Sequence, residues 1–182
     1  MRVIAGQARS IPLLSPEGEG TRPTTDRIKE TLFNIIRDYV YDCSFLDLFA
    51  GSGQIGIEAI SRGAGHAIFV EKDRRIAELI KKNLEKTRFT GQGRVLRADV
   101  ISAMPQLKSE GPFDIIYMDP PYASGIEEQV IRGIEEYGLL ADDGMIIIEA
   151  ALDRTIDLND TGFTATREKC YKTNKHIFLE RK

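Results

Sequence analysis

Five short apolar runs recur between residues 45 and 150, and a stretch of helical spacing separates each from the next. The runs are FLDLFA, HAIFVE, RVLRAD, FDIIYMD and GMIIIEA; between them lie IGIEAISR, residues 73–89, residues 101–107 and EEQVIRGIEEY. Within 73–89, Ile76, Leu79, Ile80 and Leu84 share one helical face. A strand that reaches its neighbour through a helix lies parallel to it, and a parallel sheet is sheltered from water only when helices cover both faces. The pattern predicts an α/β fold with a mostly parallel central sheet between two helical layers. The two ends of the chain differ. FTATREKCY and KHIFLER flank a Lys-Thr-Asn turn and predict an antiparallel hairpin closing the sheet. RVIA and IPLL flank polar GQARS and are consistent with a small N-terminal β-hairpin or two edge strands, with Pro12 suited to an edge. SPEGEGTRPTT then reads as a loop, ending in a Thr24 or Thr25 cap for a helix that places Ile28, Leu32, Ile35, Ile36 and Tyr39 on its apolar side. A chain of 182 residues suits a single domain, residues 1–182, with 1–23 as an N-terminal hairpin and loop.

The first run leads into DLFAGSGQIG, a full G-x-G-x-x-G between a strand and a helix. In that setting Gly51 permits the tight turn, Gly53 lets a ligand approach the backbone, and Gly56 lets helix and strand pack closely. The plain alternative is a sharp turn with no ligand. Glu71 ends the second run, 20 residues after Gly51, where a carboxylate can take both hydroxyls of a ribose. A dinucleotide would bring its pyrophosphate to the helix start, beside the negative charge of Asp47. S-adenosylmethionine carries a sulfonium and an ammonium and no phosphate, so Asp47 attracts it. Asp99, at the end of the third run, can meet the adenine amine. Each acid alone could be a turn-former or a solvated strand end; together they mark the carboxyl ends of successive strands, where open α/β sheets bind ligands.

The fourth run ends in Asp119, Pro120, Pro121 and Tyr122. An exocyclic amine on a nucleobase is a poor nucleophile because its lone pair is delocalised into the ring. Two acceptors, the Asp119 carboxylate and the Pro120 carbonyl, could hold its two N–H groups and turn the lone pair towards a methyl group. The carboxylate also stabilises charge developing on nitrogen, the prolines stiffen the loop, and Tyr122 offers a face for stacking. This chemistry requires no metal. A guanine stacked in RNA cannot reach such a pocket, so the target is expected to be unpaired or flipped out.

With these motifs in hand, the chain resembles a class I S-adenosylmethionine-dependent methyltransferase. RVIAG, TRPTTDRIKETLFN, FLDLFAGSGQIGIEAISRGA and MDPPY follow one another as in the RsmD family of bacterial small-subunit rRNA guanine-N2 methyltransferases, which it resembles from end to end. The similarity is weakest from Leu152 on. The resemblance implies a Rossmann-like sheet of order 3-2-1-4-5-7-6 with an antiparallel last strand. It implies S-adenosylmethionine held by Asp47, Phe49, Gly51, Ser52, Gly53, Gly56, Glu71, Lys72, Asp99 and Val100, and a guanine held at Asp119 to Tyr122. It further implies that the TRPTTDR segment folds over the site, with Arg2, Arg9, Arg22, Thr24 and Arg27 facing RNA, and that the partner is 16S rRNA within the small ribosomal subunit. The same chemistry on adenine N6, cytosine N4 or a glutamine amide stays open, because each presents a planar NH₂. So do a dinucleotide-dependent oxidoreductase and a non-catalytic RNA-binding module.

Charge bears on the partner. The net charge is −3, yet residues 1–37 carry six basic against four acidic side chains, so the excess of acid lies in the remainder. A slight positive end suits a preorganised particle better than nonspecific grip on naked nucleic acid. Cys43 and Cys170 form no CxxC pair, His66 and His176 lack ligand spacing and suit structural roles, and no apolar stretch approaches about 20 residues. The expectation is a cytoplasmic, metal-free, soluble protein, with a monomer favoured.

Overall fold

Alternation along each central strand decides which side of the sheet a residue serves. In the computed structural model, which describes residues 1–16, 25–121 and 125–182, β1 (Ser44–Leu48) runs between β2 (His66–Val70) and β4 (Phe113–Met118), parallel to both. β3 (Gly93–Leu96) extends the parallel set beyond β2, and β5 (Leu140–Ala151) extends it beyond β4. β7 (Asn174–Arg181) pairs antiparallel with β5, and β6 (Phe163–Cys170) antiparallel with β7. Among the described residues these seven strands form one sheet of order β3-β2-β1-β4-β5-β7-β6.

Phe45, Phe69, Ile115, Tyr117 and Ile147 face one core; Leu46, Leu48, Ile68, Ile116, Met118 and Ile148 face the other. The first core is roofed by α1 (Asp26–Ile35), α3 (Gln54–Ser61) and α4 (Arg74–Thr87), through Leu32, Phe33, Ile57, Ile60, Ile80 and Leu84. The second lies under α5 (Val100–Leu107) and α6 (Glu127–Glu136), through Met104, Leu107, Val130, Ile131 and Ile134. Burying each such side chain contributes about 1.5–3 kcal/mol. That is why the strands read as near-continuous apolar runs.

Three boundaries differ from the sequence reading. The first helix breaks at Ile36, whose φ of −97° and ψ of 9° leave the helical range, and resumes as α2 (Arg37–Val40). The break resets the helical phase, so Tyr39 is 56% exposed instead of buried. β5 begins at Leu140, ahead of the apolar run, because Phe113 pairs with Leu140 and Ile115 with Met145, leaving Asp142 and Asp143 in an exposed irregularity. The N-terminal hairpin contracts to one antiparallel bridge, Arg2 to Pro12, made by Val3 N to Ile11 O and Leu13 N to Met1 O; the ladder goes no further because Ile11 N turns back to Ala8 O and Ser10 N to Val3 O.

Side chains take over the backbone groups that a longer hairpin would have paired. Ile4 N and Ala5 N donate to the two oxygens of Glu58 at 2.8 and 3.0 Å, and Ser61 Oγ accepts from Ala8 N and donates to Ala5 O. Lys29 Nζ donates to Arg2 O at 2.6 Å and lies 3.3 Å from Glu58 Oε2, with neither side chain exposed. Arg62 Nε reaches Glu58 Oε1 at 2.8 Å. Burial lowers the Lys29 pKa, and Glu58 opposes that shift. Asn83 Oδ1 accepts from Leu14 N, and its Nδ2 donates to Leu14 O and Ser52 O, pinning the strap to the glycine turn.

Candidate active site

The turn after β1 is held by the acids predicted from strand ends. Gly51 N donates to Glu71 Oε2 at 3.1 Å and Asp73 N to Glu71 Oε1 at 2.9 Å, so Glu71 ties the glycine turn to the start of α4. Asp47 Oδ2 accepts from Gly56 N at 3.0 Å across the first turn of α3. Gly53 has φ +75°, and a Cβ there would meet Ile80 Cγ2 at 2.9 Å; at Gly56 a Cβ would meet Phe69 Cε1 at 2.4 Å. Gly56 thus stands at the expected close approach of helix to strand. Gly53 faces packed side chains of α4 and not open space. Asp99 caps α5, its Oδ1 accepting from Ile101 N and Ser102 N.

These elements enclose a cavity of about 840 Å³ at the carboxyl ends of the parallel strands. Asp47, Phe49, Gly51, Ser52, Glu71 and Lys72 border it, as do Asp99 and Val100. Gly53 and Gly56 stand behind its wall. Asp119, Pro120 and Pro121 border the same cavity. Tyr122, Arg22 and Thr24 lie outside the described residues. Met1, Ser15, Pro16, Thr25 and Ile28 bring the N-terminal strap and α1 to the rim. Thr25 caps α1, accepting from Ile28 N. Of the predicted RNA-facing residues, Arg2 pairs with Asp26 at 3.0 Å and Arg9 and Arg27 are exposed; none of the three borders the cavity.

Among the described lining residues are five carboxylates, Asp47, Glu71, Asp99, Asp119 and Glu149, against one cationic side chain, Lys72. Crowding acids away from water shifts their protonation. Asp47 is held well above its ordinary value by burial, with further contributions from Asp119 and Glu71, against the opposing Gly56 hydrogen bond. Asp119 is pushed up to about 8, first by burial and then by the charge of Glu149. Burial also pushes Glu149 up, but hydrogen bonds from His176, Tyr117 and Asn174 and the charge of His176 outweigh it, so its carboxyl ends lowered. Tyr117 OH donates to Glu149 Oε2 at 2.6 Å, and His176 Nε2 lies 3.4 Å from the same oxygen. Tyr171 OH is 3.0 Å from His176 Nδ1.

Sequence reasoning missed Glu149, although it follows the apolar residues of the fifth run directly, much as Glu71, Asp99 and Asp119 close theirs. Thr173 and Asn174 also border the cavity, and their signal was only a turn before the last strand. An acid-rich pocket of this kind fits a cationic ligand without phosphates: a cation would favour the ionised form of its buried acids, whereas a pyrophosphate would meet repulsion from those that keep their charge, Glu149 among them.

Comparisons with known proteins agree on one family. The family model described as conserved hypothetical protein 95 matches residues 1–180. Ribosomal RNA small subunit methyltransferase D of Escherichia coli strain K12 is 37% identical over 169 residues, covering 93% of this chain and 84% of that protein. The protein of the same name from Haemophilus influenzae is 36% identical over 172 residues, covering 93% and 88%. The solved structure of yhhF from Escherichia coli superposes with a TM-score of 0.84 at 37% identity, covering 100% of this chain and 98% of that one.

Proposed function

We propose, from the premise that this chain belongs to the conserved hypothetical protein 95 family, the RsmD family, that it methylates the exocyclic N2 amine of a guanine in 16S rRNA. The observation that carries the reading is the meeting of the Asp119-Pro120 tip of β4 with the Asp47–Glu71 glycine turn around one acid-lined cavity. S-adenosylmethionine, when bound, supplies an electrophilic methyl carbon on a sulfonium. Asp47, Glu71 and Asp99 are the residues to hold it, with Gly51, Phe49 and Val100 forming the apolar and backbone walls. Asp119 and Pro120 orient the amine by accepting its N–H groups, so that the nitrogen lone pair faces the methyl carbon. Once ionised, Asp119 also stabilises the positive charge that develops on nitrogen. Packing around Tyr117 and its bond to Glu149 stiffen the strand that delivers Asp119. The substrate is assigned to the assembled or assembling small subunit, whose shape substitutes for a strongly basic protein surface.

Tritiated methyl transfer to small subunits lacking the modification, followed by nucleoside identification, tests the reading. N2-methylguanosine is the expected product; methylated adenine, cytosine or protein would overturn it. In the same assay Asp119→Ala should lower kcat by about 10²–10³-fold while cofactor affinity changes only a few-fold. Equal losses in both would remove the amine-orienting role.

A further inference from the structure

Charge is divided unevenly between the two helical layers. Residues 72–88, which include α4, carry seven basic against three acidic side chains in a chain of net charge −3, so the rest of the chain carries −7. Across the sheet, α6 holds four acids and one arginine. An amphipathic helix turns its charged residues outward, but a face that is merely solvated favours neither sign.

Within α4 the excess is confined to one line. Each residue turns by about 100° around a helix axis. Arg74, Glu78, Lys81 and Glu85 therefore share one exposed edge, where the signs alternate and Lys81 Nζ meets Glu78 Oε1 at 2.8 Å. Arg75, Lys82 and Lys86 share the next edge, exposed and all of one sign. Among the described residues none of these three is in an ion pair. Their edge lies within about 100° of Asn83, whereas the alternating edge lies about 140–180° from it. Asn83 is the residue that grips Leu14 of the strap and Ser52 of the glycine turn. The uncompensated edge is thus the one on the strap's flank, and Lys72, exposed and bordering the cavity, stands just before it. From Arg75 to Lys86 it spans about 16 Å.

We propose that the Arg75, Lys82 and Lys86 edge of α4 is a docking track for the phosphate backbone of the small subunit's rRNA beside the target base. This rests on the reading of the cavity as an rRNA-methylating site and adds a surface outside it. Three exposed cations without acids of their own suit phosphates, because each contact releases a counterion condensed on the RNA. Phosphate contacts position a strand without reading its sequence, so the track fixes where the target nucleotide enters and leaves its identity to the cavity. The acidic remainder of the protein repels RNA elsewhere and steers it to this flank.

The test compares three proteins on small subunits lacking the modification. They are the wild type, Arg75→Gln with Lys82→Gln and Lys86→Gln, and a charge-matched control, Lys108→Gln with Arg132→Gln and Arg167→Gln, whose exposed cations lie elsewhere. At fixed magnesium, kcat/KM is followed from about 50 to about 200 mM monovalent salt; each phosphate contact adds about 0.7–0.9 to the log–log slope, so the wild type should lose about 20–40-fold more over that range than the α4 variant. The control should track the wild type, and S-adenosylmethionine affinity and kcat should be unchanged in all three. Equal slopes in the wild type and the α4 variant, or the same loss of slope in the control, would overturn the track while leaving methyl transfer intact. A photo-crosslinker on Lys82→Cys, in a Cys170→Ser background that leaves only the buried Cys43, decides the partner. Attachment to rRNA is expected; attachment to ribosomal protein alone would overturn the proposal. A wild type that methylates no rRNA would overturn the reading of the cavity itself, and the track with it.

Discussion

Glu58→Gln changes one atom in a group that carries four donors, and the arithmetic of those donors sets the cost. Oε2 receives Ile4 N and Lys29 Nζ; Oε1 receives Ala5 N and Arg62 Nε. An amide can turn its oxygen to only one of these pairs. Its NH₂ then confronts the other pair, depriving one backbone N–H and one cation of their acceptor on this side chain, although Lys29 keeps its bond to Arg2 O. Lys29 is the harder to accommodate, because its side chain has no exposure and its carboxylate partner has gone. Breaking a buried pair from one side costs about 3–5 kcal/mol. Against a typical total of roughly 5–15 kcal/mol, that is a large share of the stability. With a urea slope of about 2 kcal/mol/M, the unfolding midpoint should fall by about 1.5–2.5 M. A second signature follows from titration. Lys29 has a folded pKa below its ordinary 10.5, so the unfolded state binds more protons there and stability rises with pH as that window is approached. The deficit of the variant should therefore shrink from pH 7 towards pH 10, and Lys29→Met added to Glu58→Gln should restore part of it. Affinity for S-adenosylmethionine should fall too, since Met1, Ser15 and Pro16 of the loosened strap border the cavity. A loss under about 1 kcal/mol, with no pH trend, would refute this account of the strap.

Gly56→Ala drives a methyl group to 2.4 Å from Phe69, a ring with no exposure, and should destabilise by about 1–3 kcal/mol, lowering the melting temperature by roughly 3–10 °C. Because Asp119 sits near 8 when folded and near 3.8 when exposed, the folded state holds its proton more tightly between those values, so ionisation weakens the fold as pH rises through that window. Asp119→Asn cannot ionise and should gain stability relative to wild type from pH 5 to pH 8.5 in urea titrations. In parallel, wild-type kcat/KM should climb through about pH 8 as Asp119 becomes a carboxylate.

Strand alternation, the glycine turn and the acids at strand ends were legible because each depends on a period or spacing within a few residues. The backbone geometry of a strand or helix imposes that period wherever the segment ends up. FDIIYMD could be read as a buried strand delivering Asp119 without knowing its neighbours. The break at Ile36 was not legible, because nothing in ETLFNIIRDYV interrupts the apolar spacing. The partners of the buried polar groups were hidden for another reason. Lys29 meets Glu58 across 29 residues of chain, and Asn174 meets Glu149 because the β5–β7 register sets Ala151 opposite Asn174 and Glu149 opposite His176. A slip of that register would send Asn174 elsewhere with the same sequence. The proposed chemistry, a pocket for a methyl donor and an acceptor for an amine, rests on short motifs. Which acid keeps its charge depended on burial and on neighbours that only folding brings together.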